Sequence, residues 1–252
     1  MPTAAARAPF AGSRDPFLVI RGLTKRYARL TALAGVSFSI RRGEVLGVIG
    51  PNGSGKTTLF DCLGGVLPLD EGTIEGATGQ LDADERTAHI FYLPDSITPW
   101  PSQRVGWLLE YVTGLFGGRA ERIPGISREL GLEPLLDAPL GSLSKGQRKR
   151  ALLAMGLLTP RPVLLCDEPF DGLDLRQTRE VAASLRAAAA DGRAVVLSIH
   201  QIGDAARVCD RFVLLSNGRV CGEGTFEELT ATAAARAGVQ PTDFEQVFLA
   251  LT

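Results

Sequence analysis

The stretch that decides the fold covers residues 45–58 and reads Val45-Leu46-Gly47-Val48-Ile49-Gly50-Pro51-Asn52-Gly53-Ser54-Gly55-Lys56-Thr57-Thr58. Its first five residues form a short apolar run, which predicts a fully buried strand of a parallel sheet. Leu59, Phe60 and Leu63 follow at helical spacing, so the glycine-rich segment joins a strand to a helix. In that context the pattern G-x-x-x-x-G-K-[ST] indicates a phosphate-binding loop.

Each residue type in this loop has a use toward a bound triphosphate. The first turn of a helix attracts anions through its unpaired N–H groups, and glycines let the backbone wrap close to them. Lys56 can reach the β- and γ-phosphates, and the Thr57 hydroxyl can bind Mg²⁺. The alternative is a turn before a helix that binds nothing, but the full motif and its flanks favour the phosphate site. The predicted contacts are Gly50, Pro51, Asn52, Gly53, Ser54, Gly55, Lys56, Thr57 and Thr58.

Composition restricts the classes of partner. The 252 residues carry 27 basic and 28 acidic side chains, a net charge of −1, which argues against bulk binding to nucleic acid or anionic lipid. No window approaches 18 consecutive apolar residues, so any work at a membrane needs a partner, and we expect a cytoplasmic protein. The cysteines show no C-x-x-C pairing and are predicted to be buried free thiols: Cys62, Cys166, Cys209 and Cys221.

The pattern along the chain predicts an α/β fold with alternating strands and helices. We expect a P-loop NTPase with a mainly parallel sheet core, an antiparallel β subdomain, and a helical subdomain inserted after the fourth or fifth strand. Expected strands are 17–20, 33–40, 72–74, 89–93, 162–166 and 194–199, with a hairpin around Asn217-Gly218. The predicted units are a disordered tail at 1–14, a main domain at 15–235 with the helical insert at about 95–145, and a C-terminal helical tail at 236–252.

Two carboxylates end the apolar run Val163-Leu164-Leu165-Cys166-Asp167-Glu168. Acids at the carboxyl end of a buried parallel strand lie where such sheets bind ligands. Asp167 fits a partner of Mg²⁺, direct or through water, and Glu168 fits a general base that orients the attacking water. Asp-Glu-Pro after a strand is often a solvated turn, but the phosphate loop in the same chain favours the catalytic interpretation.

Residues after two other elements are further candidates. His200 follows a buried strand directly and can contact the γ-phosphate or the attacking water, or be a surface histidine, whereas His89 is interpreted as structural. Ser144 and Gln147 have the spacing of a capping box, yet a helix start with Ser144 and Gly146 is also an anion site, used in another subunit. The run 148–150 is predicted to be a solvated charged face rather than a nucleic-acid patch.

Taken together, the chain resembles the nucleotide-binding subunit of an ATP-binding cassette (ABC) transporter over about residues 17–252. The motifs that carry the resemblance are residues 50–58 (Walker A), 143–147 (family signature), 163–168 (Walker B), Gly172-Leu173-Asp174 (D-loop), His200 (switch histidine) and Tyr27 (adenine-stacking aromatic). The short helical insert, residues 209–211 and the closing 244–252 are similar to the exporter-like branch that handles drugs, antibiotics, sodium or lipids.

There are two departures from the family pattern. Lys145 stands where the signature usually has its first glycine, and Asp95 stands where a glutamine usually follows the strand ending at Leu93. Asp95 can approach Mg²⁺ or water through its carboxylate, but an ionised carboxylate cannot donate a hydrogen bond.

The resemblance implies an ATPase that dimerises head to tail around two ATP molecules, with Mg²⁺. Each ATP would contact Tyr27, Lys56 and Thr57 of one chain and the signature residues Ser144, Gly146 and Gln147 of the other, with Asp174 nearby. The second subunit can be identical or different, and a membrane-spanning permease would dock near residues 95–116 at the inner face of the membrane. The alternatives are a soluble cassette ATPase in DNA repair, translation or cluster assembly, and a catalytically modified regulator.

Overall fold

Two β-sheets form the centre of the part of the chain that the structure, a computed structural model, describes: residues 16–95, 97, 99–199, 207–237, 241 and 243–252. The predicted tail at 1–14 and His200 lie outside these residues. The strands are β1 (Pro16–Tyr27), β2 (Leu30–Arg41), β3 (Val45–Ile49), β4 (Glu71–Gly76), β5 (Gly79–Gln80), β6 (Ile90–Leu93), β7 (Val163–Asp167), β8 (Ala194–Ile199), β9 (Arg211–Ser216) and β10 (Arg219–Gly224).

The larger sheet positions the site. Its order is β10-β9-β3-β8-β7-β6, and every neighbouring pair is parallel except the β9–β10 hairpin. Strand β3 is therefore central and buried along its whole length, as its apolar run predicts. Because β3, β7 and β8 are parallel neighbours, their carboxyl ends meet at one edge, where open α/β sheets bind ligands. The smaller sheet, of order β2-β1-β4-β5, is antiparallel.

Helices cover the larger sheet and supply the insert. They are α1 (Lys56–Leu63), α2 (Ala83–His89), α3 (Val105–Leu115), α4 (Ile123–Glu129), α5 (Lys145–Leu158), α6 (Leu175–Ala190), α7 (Phe226–Ala237) and α8 (Phe244–Leu251). The predicted α/β fold with parallel and antiparallel strands is confirmed. The segment rich in helices follows the sixth strand rather than the fourth or fifth, since the two-residue β5 has too little sequence pattern to be predicted. The residue limits 15–235, 95–145 and 236–252 stay predictions.

Two hydrophobic clusters lie on opposite faces of the larger sheet. Along β8, Val195 and Leu197 point into the cluster shared with α5 and α6, whereas Ala194 and Val196 point into the cluster shared with α1 and the smaller sheet. This alternation follows from the two-residue period of a strand. Both faces of the sheet are thus covered. Strand β3, which leads into the glycine-rich loop, therefore lies between two packed layers.

The structure differs from the sequence predictions at a few positions. His89 is the last residue of α2 and its Nδ1 lies 2.8 Å from Glu85 O, so the predicted strand begins one residue later. The predicted solvated face at 148–150 is wrong for Lys149 and Arg150, which are buried; Arg150 Nη1 donates to Leu130 O at 2.7 Å. All four cysteines are free as predicted, but Cys221 is only half-buried.

Candidate functional site

The glycine-rich loop is tight at its ends and open in its middle. A Cβ on Gly50 would lie 2.2 Å from Leu215 O, so the strand end cannot carry a side chain there. Gly55 caps α1 with a φ of 105°, a left-handed value that favours glycine, and a Cβ there would lie 2.7 Å from Ala32 O. Gly53 also has a positive φ, yet nothing lies within 4 Å of its Cβ position. The loop therefore leaves room above its central residues while its ends are packed.

Lys56 is buried at the start of α1, as the motif requires. Its Nζ donates to Gly50 O at 2.7 Å and to Pro51 O at 3.2 Å, so the ammonium is held by the first two carbonyl groups of the loop. Burial lowers the pKa of Lys56, because desolvation disfavours the charged form, while the negative charges of Glu168 and Asp167 act in the opposite direction. The ammonium of Lys56 and the carboxylates of Glu168 and Asp167 therefore lie close enough to interact electrostatically.

A cavity of about 540 Å³ opens over the loop. Eight of the predicted site residues line it together: Tyr27, Asn52, Gly53, Gly55, Lys56, Thr57, Thr58 and Glu168. Its other lining residues come from β2 and the β9–β10 turn, and the sequence did not predict them as part of the site: Leu30, Thr31, Ala32, Asn217 and Gly218. The volume lies within the range of small-molecule sites. Tyr27 is 42% exposed and can offer its ring to a base.

Ser198 joins the Asp167 carboxylate to the backbone N–H of Glu168, and the sequence patterns did not predict this contact. Its hydroxyl donates to Asp167 Oδ1 and accepts from the backbone N–H of Glu168 at 2.9 Å. Ser198 is fully buried and lies opposite Asp167 in the parallel β7–β8 register. Glu168 has a φ of +48°, unusual for a residue with a side chain, and the bond to Ser198 stabilises that strained turn.

These oxygen donors fit the chemistry of Mg²⁺. Thr57 lines the cavity, and Asp167 is the last residue of β7. Both are hard oxygen ligands, and Mg²⁺ in nucleotide sites is held by one or two such groups plus phosphate oxygens. A resident metal with softer preferences would call for nitrogen or sulfur donors.

Asp95 lies in a charged cluster with residues that the sequence did not bring together. Oxygens of Asp95, Glu168 and Asp171 all lie within 4.8 Å of one another. Lys149 Nζ is 2.6 Å from Asp95 Oδ1, and Lys145 pairs with Asp171. Hydrogen bonding to Asp171 raises the pKa of Lys145, and the charges of Asp95 and Glu168 add to this. One oxygen of Asp95 pairs with Lys149, and the metal role predicted for Asp95 stays a prediction.

The signature residues form a helix start outside the cavity. Ser144 caps α5: its hydroxyl accepts from Gln147 N at 3.3 Å, and Gln147 Oε1 accepts from Ser144 N at 2.9 Å, so the capping box is confirmed. A Cβ on Gly146 would lie 2.7 Å from Gly172 O, which brings the signature against the D-loop. Asp174 caps α6 through Gln177 N at 2.8 Å. Within the described residues, the cavity lining takes none of 144–147 or Asp174.

An aromatic patch lies on the insert, formed by Trp100, Trp107 and Tyr111. The Trp107 and Tyr111 rings stack at 4.9 Å, and Trp100 meets them edge-on at 5.9 and 5.5 Å. All three side chains are exposed, as is Leu115 one turn beyond Tyr111. Exposed aromatic rings grouped in this way are typical of interaction surfaces. In the described segments, no helix combines the length and apolarity needed to cross a membrane.

Fold and site together define a P-loop nucleotide-binding protein. A family model for the ABC transporter matches residues 33–171. The chain belongs to the ABC transporter family. It is an ATP-binding subunit of a transporter, an ATPase coupled to transport. Such subunits work with membrane permease components.

Individual relatives agree with this assignment. The chain is 36% identical over 227 residues to the Nod factor export ATP-binding protein I of Ralstonia nicotianae, covering 88% of this chain and 70% of that protein. It is 30% identical over 209 residues to the thiamine import ATP-binding protein ThiQ of Shigella flexneri, covering 81% and 90%. A solved ATP-binding subunit of an ABC transporter superposes with a TM-score of 0.84 at 27% identity, covering 93% and 99%. The soluble-cassette alternative finds no support among these relatives.

Proposed function

We propose that this ATP-binding subunit hydrolyses ATP at the cavity over the β3–α1 loop, with Lys56, Glu168 and His200 as its catalytic residues. The observation that carries the proposal is the convergence of Lys56 and Glu168 on one cavity, with Asp167 held beside them by Ser198. Lys56 binds the β- and γ-phosphates together with the N–H groups of Gly53, Ser54, Gly55 and Thr57. The role of His200 rests on its position directly after β8.

In this scheme Glu168 orients and deprotonates the attacking water. Glu168 lines the cavity, and the Ser198 hydroxyl keeps its strained backbone turn in place. Tyr27 stacks on adenine, a contact worth roughly 1–3 kcal/mol per base. Thr57 and Asp167 would hold Mg²⁺, which would neutralise charge on the phosphate oxygens.

The test is Glu168→Gln, which keeps the size of the side chain and removes the base. We expect it to bind ATP as the natural protein does, to hydrolyse ATP at least about a hundredfold more slowly, and to accumulate as an ATP-bound dimer on gel filtration. Glu180→Gln on α6 is the matched control, since Glu180 pairs with Arg176 in another cavity. A Glu168→Gln protein that turns ATP over at the natural rate contradicts the assigned roles.

The signature supports a head-to-tail dimer around two ATP molecules. Ser144 and Gly146 start a 14-residue helix whose N-terminus favours an anion, yet the cavity of the same chain does not include them. A twofold dimer would bring Ser144, Gly146 and Gln147 of each chain to the γ-phosphate of the other, with Asp174 at the interface. Hydrolysis removes that phosphate and lets the subunits separate. Ser144→Arg should abolish ATP-dependent dimers while each chain still binds ATP.

The aromatic patch supports docking of a membrane-spanning permease, which would hold the protein at the inner face of the cell membrane. Rigid, partly apolar rings are typical anchors of protein interfaces. Trp107→Ser with Tyr111→Ser should prevent co-purification of the permease in mild detergent. Leu249→Ser, which removes another exposed apolar side chain, is the control and should leave it intact. Equal recovery of the permease with both variants would contradict this docking site.

Export is the direction we propose, on the similarity to the Nod factor export protein. In proteoliposomes with this subunit facing outward, a compound that stimulates ATP hydrolysis should accumulate in the lumen when ATP is added outside. Loss of the compound from the lumen would indicate import instead.

A further inference from the structure

Two lysines of α5 face three carboxylates of the site, those of Asp95, Glu168 and Asp171, which we call the acidic edge. Lys145 and Lys149 are one helical turn apart and therefore lie on the same side of the helix. Lys145 pairs with Asp171, and Lys149 Nζ lies 2.6 Å from Asp95 Oδ1 and 3.5 Å from Asp167 O. Each lysine therefore carries positive charge to the place where the carboxyl ends of β6 and β7 meet.

The carboxylates at this edge repel one another and repel any further anion. Asp95, Glu168 and Asp171 offer oxygens within 4.8 Å of one another, a distance at which like charges interact strongly near a protein surface. Glu168 also lines the cavity over the phosphate-binding loop. A triphosphate whose terminal phosphate reaches Glu168 therefore adds negative charge beside three carboxylates, and the two lysines offset the charges of Asp171 and Asp95.

Lys149 is the lysine with less water around it. Only 7% of the residue is exposed, whereas more than half of the Lys145 side chain is. Water and salt screen an exposed charge effectively and a buried one poorly. Removing the Lys149 charge should thus change the local field more than removing the Lys145 charge.

We propose that Lys149 is a positioning residue for the γ-phosphate: by pairing with Asp95 it holds that carboxylate and cancels its repulsion of the terminal phosphate. This inference rests on the proposed function, since it requires the γ-phosphate to reach Glu168. ADP lacks that phosphate, so its binding does not depend on the pair. Lys149 thereby sets the preference of the site for a triphosphate over a diphosphate.

The experiment compares binding of the non-hydrolysable ATP analogue AMP-PNP and of ADP to the full chain by calorimetry, with Mg²⁺ and low salt. Lys149→Met should raise the Kd for AMP-PNP about tenfold and leave the Kd for ADP within about twofold. Removing both charges, in Lys149→Met with Asp95→Asn, should restore the natural ratio of the two constants. Lys149→Arg should keep that ratio, because the positive charge remains.

Lys25→Met is the matched control. Lys25 is also 7% exposed and pairs with one aspartate, Asp70, at 3.1 Å, but it lies on β1 beside Tyr27 rather than at the acidic edge. Its removal should change the Kd values for AMP-PNP and ADP by the same factor. A merely structural role of Lys149 would give the same equal change, together with a lower melting temperature, and would overturn the proposal.

Asp95→Asn alone keeps the test decisive if Lys149→Met does not fold. It leaves the Lys149 charge in place and removes one carboxylate, so AMP-PNP should bind several-fold more tightly relative to ADP. An unchanged ratio would overturn the proposal. If the natural protein binds neither nucleotide, the proposed function itself fails; if it binds both and no variant changes the ratio, only the role of Lys149 fails.

Discussion

Replacing Ser198 by alanine tests the hydrogen-bonded connection between the two acids of the site. Its hydroxyl donates to Asp167 Oδ1 and accepts from Glu168 N–H at 2.9 Å, and the residue is fully buried. Losing a hydrogen bond to a charged group costs about 1.5–3 kcal/mol. The half-buried N–H of Glu168, left without its acceptor, adds a smaller cost. Because alanine leaves only a small void, we expect a total near 3 kcal/mol.

For a chain of this size a loss of about 3 kcal/mol lowers Tm by about 6–12 °C, which calorimetry resolves. The same change frees the Glu168 backbone, whose φ of +48° is strained, so kcat should fall on the order of tenfold to a hundredfold. The ATP Kd should change little, since Lys56 and the loop remain. Both kcat and Tm are measured on Ser198→Ala and on natural protein.

Ser184→Ala is the control for this prediction. Ser184 is also buried and donates to a carboxylate, Glu129 Oε2, but at 3.4 Å and between α6 and α4. It should cost at most about 1 kcal/mol and leave kcat unchanged. A Ser198→Ala protein with natural Tm and kcat would refute the reasoning that this hydroxyl holds the catalytic turn.

Three other predictions concern stability and reactivity. The buried carboxylate of Glu44 accepts from Arg211 Nη2 at 2.8 Å and from Arg211 Nε at 3.1 Å. Arg211→Met leaves that carboxylate without the guanidinium and should lower the free energy of unfolding by about 3–5 kcal/mol, which urea denaturation measures. Burial raises the pKa of Asp61, whose carboxylate accepts from Tyr92 OH, so its ionised form costs stability above its ordinary pKa. Asp61→Asn should therefore raise Tm at pH 7, and the gain should vanish as the pH falls below about 4; a gain that is constant with pH would contradict this. Cys221 is the half-exposed thiol and should react first with a thiol reagent in native protein, because burial raises the pKa of the other three; mass mapping after brief labelling identifies it.

Features set by local sequence were predictable. The strand at Val45–Ile49, the helix start at Lys56 and the capping box at Ser144 each depend on residues within a few positions of one another. Their patterns are therefore complete in a short stretch of sequence. The same holds for the hairpin at Asn217-Gly218, where turn chemistry is confined to two residues.

Contacts between distant parts of the chain were not predictable from pattern. Ser198 looks like any small residue of a buried strand, and its bond to Asp167 depends on the β7–β8 register. Lys149 belongs to a charge run that resembles a solvated face, but its ammonium meets Asp95, 54 positions away. Charge pairing across such separations leaves no local signal, so the sequence predicted the phosphate loop but not the acidic edge around it.

The aromatic patch gives the protein a built-in optical reporter. The chain contains two tryptophans in all, and both, Trp100 and Trp107, belong to that patch. Indole emission moves to shorter wavelength when water leaves the ring, so the tryptophan fluorescence of this protein monitors one surface only. A shift on adding permease would follow docking in real time without any attached dye.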